Sequence, residues 1–256
     1  MGPNDLAAKL NAYTSTEAVV YNIVSPSTVA GIDIEIPSTF AAETVTFNFI
    51  EIKTGATLAI KDATGAAFAG NVVINLPENV SMSNLTVNLP NAHVTLKQGN
   101  VTKVISSTSS TTFVVAGGVK VESITVNAGN VEIQEGGEVE VIAVGPENNE
   151  TVKVILGDTV EMPTVTGGTV LKVVDNIEET VQPAGYFLYI KDGEWTGSND
   201  FLEAINNADP ASTISMGKDV EVTETIKITK DIKIDLNGYK LINNVTGGRA
   251  FDISAD

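Results

Sequence analysis

The sequence predicts an all-β protein: a right-handed parallel β-helix or β-solenoid closed by short capping helices. Three observations predict it. The first is a phrase that recurs at offsets of about 40 residues, the mark of a stacked repeat architecture. Ile34-Glu35-Ile36-Pro37-Ser38-Thr39-Phe40 runs on to Val45-Thr46-Phe47-Asn48, and Ile74-Asn75-Leu76-Pro77-Glu78-Asn79-Val80 to Leu85-Thr86-Val87-Asn88. Phe113-Val114-Val115-Ala116-Gly117-Gly118-Val119 runs on to Ile124-Thr125-Val126-Asn127, and Val154-Ile155-Leu156-Gly157-Asp158-Thr159-Val160 opens a fourth, eroded copy. The second is a finer beat of about 20 residues, marked by turn residues before Phe40, Leu58, Val80, Val101, Val119, Val139 and Val160. The third is composition. Hydrophobic residues make up 43% of the chain, and most are Val and Ile with Thr beside them, types that suit a pleated surface.

The elements follow in order. Residues 4–12 read as a short helix, capped by Asn4 or Asp5, with Leu6, Ala7 and Leu10 on one face. Strands begin at Ala18-Val19-Val20-Tyr21-Asn22-Ile23, and nothing from Gly31 to about Val174 reads as helix. Within a beat, Val80-Ser81-Met82, Leu85-Thr86-Val87 and Val94-Thr95-Leu96 suggest three strands per coil, hence a three-sided solenoid. Such strands are too short for hairpins, but each gains backbone partners on both sides when coils stack. A pair of β-sandwiches is the rival. Asn48, Asn88 and Asn127 share one repeat position and are expected to form a corner ladder along the axis, since Asn tolerates left-handed geometry.

Asp175-Asn176-Ile177-Glu178-Glu179 reads as a charged break. Tyr186-Phe187-Leu188-Tyr189-Ile190 and Lys191-Asp192-Gly193-Glu194-Trp195 read as a hairpin with an Asp-Gly turn. Its Tyr186, Tyr189 and Trp195 are the candidate ligand platform, set against a small aromatic core sealing a junction. Residues 199–208 form a second capped amphipathic helix, and strands return from Ser212. The chain therefore divides into 1–16, a cap helix; 17–174, the solenoid repeats; 175–198, a hairpin and junction; and 199–256, a cap helix opening a second β-helix segment. The strand Gly247-Gly248-Arg249-Ala250-Phe251-Asp252-Ile253 runs out at Asp256, and the segment is expected to continue further.

Phe201-Leu202-Glu203-Ala204-Ile205, Ser212-Thr213-Ile214, Lys218-Asp219-Val220, Ile226-Lys227-Ile228 and Ile232-Lys233-Ile234-Asp235-Leu236-Asn237-Gly238-Tyr239 together resemble the opening module of right-handed parallel β-helix domains. That module recurs in large bacterial surface proteins related in fold to pectate lyases. The resemblance covers about residues 199–256, and the Asp235-Leu236-Asn237-Gly238 corner is its most specific element. Residues 1–174 resemble, in texture, repeats of exported proteins from similar bacteria. The resemblance implies the fold and a cell-surface or secreted location. It does not imply lyase activity.

The chemistry is sparse. Net charge is −17 and Arg249 is the only arginine, so no nucleic-acid partner is expected. There is no cysteine, and no apolar stretch long enough to cross a bilayer. Met1-Gly2-Pro3-Asn4-Asp5 is not a secretion signal. Sequons at Asn79, Asn84, Asn100, Asn149 and Asn244 read as chance in a chain rich in Asn and Thr. His93, the one histidine, has no acid or second histidine nearby in sequence and reads as a surface residue. Glu132, Glu138 and Glu140 occupy alternating outward positions and read as a solvated acidic face; no carboxylate pair of the hydrolase kind recurs on neighbouring coils. Gly117-Gly118, Gly136-Gly137 and Gly167-Gly168 read as coil corners, since none precedes the Lys and helix of a phosphate loop.

No catalytic residue, cofactor or metal site is assigned, with calcium on the acidic face left open. The leading expectation is a monomeric, non-enzymatic stalk or adhesin-like module, with surface glycans or other cell-envelope components as candidate partners. A carbohydrate-binding β-helix is one alternative. The other is the N-terminal part of a polysaccharide lyase or hydrolase whose active coils lie beyond residue 256.

Overall fold

A computed structural model describes the chain except residues 26–27, 64–67, 146–147, 149–150 and 255–256, and describes residues 3, 4 and 194 by their backbone alone. The sequon at Asn149 and the end at Asp256 lie outside the described residues. Helix α1 (Pro3–Ala12) precedes β1 (Val19–Val24), β2 (Gly31–Ile36), β3 (Thr44–Glu51) and β4 (Thr57–Asp62). Then come β5 (Asn71–Asn75), β6 (Ser81–Asn88), β7 (His93–Gln98) and β8 (Asn100–Ser106). β9 (Thr112–Val115), β10 (Lys120–Val126), β11 (Asn130–Ile133) and β12 (Glu138–Val144) follow. β13 (Val152–Leu156), β14 (Thr164–Thr166), β15 (Val170–Val174) and β16 (Ile177–Val181) end this first stack.

The strands alternate between two sheets. Odd-numbered strands β1 to β15, with β16 at the end, form one sheet of nine; even-numbered strands β14 to β2 form the other, of seven. All pairs are parallel except the last, β15 with β16. In β2 the inward residues are Ile32, Ile34 and Ile36, with Asp33 and Glu35 outward. That period of two lets each sheet offer one apolar face to the other. One continuous core results, from Leu6 and Leu10 of α1 to Val165 and Val170.

The first stack thus has two strands per circuit where three were expected. Met82 and Leu85, read as belonging to separate strands, are both in β6 and both buried. Two inward residues three apart break the period of two, so one residue between them must slip. The slips align: the register passes from Met82↔Val101 to Asn84↔Lys103, then from Val121↔Val139 to Ser123↔Val141, skipping Ser83, Thr102, Glu122 and Glu140. What read as a corner is a kink stacked on kinks.

Circuit length also varies, and this corrects the asparagine ladder. Val45 pairs with Val72 and Leu58 with Leu85, but Leu85 pairs with Val104 and Val104 with Ile124. A 40-residue step of about one and a half early circuits changes sheets, whereas about two later circuits return to the same sheet. Asn88 ends β6 and Asn127 follows β10, both in the seven-stranded sheet; Asn48 lies in β3, in the other. Asn48 instead stacks between Asn22 and Asn75, and its Nδ2 donates to Asn22 Oδ1 at 2.8 Å. None of Asn48, Asn88 and Asn127 has a left-handed backbone; Asn91, at φ 63°, does.

Both ends of the first stack are managed. The Gly2 N–H donates to Asp5 Oδ2 at 3.4 Å, so Asp5 caps from the first turn; the side chain of Asn4, the other expected cap, is not described. Leu6 and Leu10 close the core beside β1 and β2. Met1 occupies the free edge of β1, donating to Asn22 O at 2.9 Å and accepting from Val24 N–H at 3.0 Å. At the far end the expected charged break is a tight hairpin, with Asp175 (φ 50°) and Asn176 (φ 63°) both left-handed, as such two-residue turns require. It adds β16, whose Glu178 and Glu179 meet Lys153 and Lys172.

A second stack follows. β17 (Phe187–Lys191) and β18 (Glu194–Ser198) form the expected Asp-Gly hairpin, then come α2 (Phe201–Asn207) and β19 (Thr213–Met216). β20 (Val220–Val222), β21 (Ile226–Ile228), β22 (Lys233–Asp235), β23 (Leu241–Asn243) and β24 (Phe251–Ile253) complete it. Here each circuit has three strands: β19, β20 and β21 pair in parallel with β22, β23 and β24 respectively. Phe201, Ala204 and Ile205 of α2 pack into this separate core with Phe187, Tyr189 and Ile214.

Candidate functional site

The Asp235-Leu236-Asn237-Gly238 corner is the joint between the two stacks. Asn237 (φ 53°) and Gly238 (φ 87°) both have left-handed backbone, which Asn and Gly adopt at least cost. The corner is pinned from within: Asp235 Oδ1 accepts from Asn237 N–H at 3.0 Å, and Asn237 Nδ2 donates to Ser215 Oγ at 3.0 Å. This aims Asn237 Oδ1 at the outer face of the seven-stranded sheet. It accepts from Lys103 Nζ (3.0 Å) and from the buried Thr125 hydroxyl (2.9 Å). Lys103 also meets Asp235 Oδ2 at 2.8 Å, and Tyr239 donates its hydroxyl to Val144 O at 3.0 Å. Burial raises the Tyr239 phenol above its ordinary value, and Asp219 and Tyr186 push the same way. Gly217 and Gly167 also meet there; a methyl on Gly217 would lie 2.8 Å from the Gly167 nitrogen.

The structure does not assemble the aromatic platform. Tyr189 faces the second core with Phe187 and is buried. Ile190 pairs with Trp195 across the hairpin, so the indole lies on the opposite face of β17 from Tyr189. Tyr186 is exposed, but its ring lies under Lys218 Nζ at 4.7 Å. The bland reading of this segment, an aromatic core at a junction, describes Tyr189.

His93 opens β7 on an exposed face, 3.9 Å from Glu132 Oε2, a neighbour that only the stacking of β7, β9 and β11 supplies. Glu132 lies in a different sheet from Glu138 and Glu140. Lys120 pairs with Glu140 at 2.9 Å, and that hydrogen bond, with the charges of Glu140, Glu138 and Glu122, raises the lysine above its ordinary value. Among the described residues no group of three or more His, Asp and Glu could hold a metal ion, and no helix is long and apolar enough to cross a membrane. Gly118, Gly136 and Gly167 have left-handed backbone at coil corners.

The concave feature with most chemistry is a cleft of about 480 Å³ beside α2. Phe187, Phe201, Val222 and Ile226 give it an apolar lining, while Asp200, Asp219, Glu221 and Glu224 bring four carboxylates. Its lysine, Lys218, is engaged with Tyr186, with Phe187 at 5.4 Å and with Asn199 O at 3.2 Å. Sequence reading missed this cleft, because its walls come from three elements with no shared motif. Comparison with protein families, with curated proteins and with solved structures returned no match.

Proposed function

We propose that the chain is a right-handed parallel β-solenoid serving as a non-enzymatic stalk or adhesin-like module of a bacterial cell-surface or secreted protein. The supporting observation is the division of each strand into inward and outward rows. Inward rows of Val, Ile, Leu and Phe make one core along the whole first stack. Outward positions carry polar and charged residues, as in Asp33 and Glu35 of β2. Circuits that each contact their neighbours build length and long polar faces at little cost in chain. Right-handed winding follows from the twist preference of strands joined by parallel crossovers. The pectate-lyase-like resemblance of residues 199–256 agrees with the three-strand circuits there and supplies the surface location.

The test combines two assays on the full chain. Incubation with polygalacturonate and related uronans, with and without calcium, is expected to release no new unsaturated or reducing ends. Glycan-array binding is expected to show no saturable signal. Product formed at a rate abolished by one point substitution overturns the non-enzymatic reading. Saturable glycan binding replaces the stalk with a carbohydrate-binding β-helix.

A further inference from the structure

The cleft beside α2 exposes unpaired strand backbone. Val220 N–H donates to Lys240 O at 2.9 Å, and Val222 O accepts from Asn244 N–H at 2.8 Å. Those residues turn their backbone groups toward β23, so Glu221 between them turns its N–H and C=O toward the opposite edge. The same holds in β21. Ile226 N–H donates to Ala250 O and Ile228 O accepts from Ser254 N–H, leaving Lys227 facing away from β24. Among the described residues no backbone partner meets either outward pair. The third strand of that circuit differs, because β17 covers the corresponding edge of β19.

We propose that this cleft binds an extended peptide segment rich in lysine or arginine, which adds to the open edge of β20 as a further strand. Backbone hydrogen bonding at a free edge beside an apolar pocket is a general mode of peptide capture. Charge selects the occupant. Among the described residues none of Asp200, Asp219, Glu221 and Glu224 forms an ion pair, although all four line the cleft. A second copy of the chain would bring a net charge of −17 against them. A basic strand neutralises them while its alternate apolar side chains pack against Leu202 and Ile226, which line the cleft and keep accessible surface there.

The test uses a fluorescent hexapeptide alternating lysine and valine, the same peptide N-methylated at alternate amides, and a glutamate–valine counterpart. Anisotropy with the full chain is expected to show saturable binding of the first. N-methylation or acidic residues should weaken it about tenfold or more. Glu221→Pro removes the outward N–H and keeps the backbone bonds to β23, and should weaken binding by a similar factor; Glu221→Gln, which keeps the N–H, measures how much of that loss is the carboxylate's and should weaken binding less. Glu224→Lys tests the charge and should weaken it about fivefold, more at low salt than at high. Circular dichroism checks that the variants fold; if Glu221→Pro does not, the N-methylated peptide on the unaltered chain decides. Equal binding of the methylated and unmethylated peptides, or no binding of either, overturns the proposal. So does a concentration-dependent dimer by light scattering, which would make the occupant a second copy.

Discussion

Replacing Asn237 by alanine should loosen the joint between the two stacks by about 2–5 kcal/mol. Two effects add. The backbone at Asn237 is left-handed, at φ 53°, and forcing a Cβ residue other than Asn there costs roughly 1–2 kcal/mol. Removing Oδ1 also strands the Thr125 hydroxyl, which is 4% exposed and has Asn237 as its hydrogen-bond acceptor. A buried polar group left without its partner costs roughly 1–3 kcal/mol. Lys103, with 18% of its side chain exposed, would keep Asp235 alone. Asn237→Gly separates the two effects. Glycine adopts φ > 0 freely, so it should recover about 1 kcal/mol relative to alanine while still losing the hydrogen bonds. The assay is urea unfolding followed by Trp195 fluorescence, because the single tryptophan lies in β18 of the second stack. Far-UV circular dichroism in parallel reports mainly the first. Alanine and glycine variants equal in midpoint would refute the backbone argument. Both within about 0.5 kcal/mol of the unaltered protein would refute the joint.

Three further outcomes follow from the same geometry. Leu6→Asp with Leu10→Asp places two carboxylates where the side chains are 2% and 1% exposed, which costs at least about 3 kcal/mol and opens the end of the core; light scattering should show oligomers, and unchanged monomers would count against the capping role of α1. Tyr21→Phe should raise the melting temperature, by about 1 kcal/mol of added stability, because its hydroxyl is buried with no hydrogen-bond partner among the described residues; a lower melting temperature would mean that a partner exists. For Tyr239 the folded-state pKa is raised, so its stabilisation is complete below the unfolded value of 10.0 and is lost as pH climbs through the raised value; Tyr239→Phe should cost about 1 kcal/mol at neutral pH and flatten that alkaline loss, and a variant whose urea midpoint still falls as steeply would exclude the phenol as its source.

Much of this architecture was legible in the chain, and the misses have identifiable causes. Strands, turns and both helices can be read because alternation and Gly, Asn and Asp corners act locally. Which sheet a strand joins depends on circuit length, and a repeat alignment averages over that. Asn48 was misplaced for this reason, since the early circuits are longer than the later ones. The stacked kinks at Ser83, Thr102, Glu122 and Glu140 were hidden because a single-residue slip looks like a corner until neighbouring registers are compared. The joint was half visible. Asp235-Leu236-Asn237-Gly238 stood out as a motif, but Lys103 and Thr125 lie more than one hundred residues away, on strands whose outward residues read as solvated. The cleft was not visible at all, because an open edge is defined by what fails to pair.

The treatment of edges bears on what this protein can meet. An unpaired strand invites pairing with any other, and the first stack closes its exposed edges by different means. Met1 bonds the backbone of β1, and the β16 hairpin ends its sheet with Glu178 and Glu179. Glu221 on the open edge of β20 can be read the same way, as a charge that keeps acidic copies of the chain from joining strand to strand. That reading and the capture of a basic strand make the same demand on the edge. A carboxylate that repels a chain of net charge −17 is the same carboxylate that attracts lysine. What separates them is the cleft: protection needs only the charge, whereas Leu202 and Ile226 beside an unpaired backbone supply apolar surface for an incoming side chain to cover. If Glu224→Lys makes the chain self-associate through β20 while it loses the basic peptide, one set of charges performs both tasks. If it self-associates and the peptide stays bound, the acids guard the edge and the pocket alone selects what docks there.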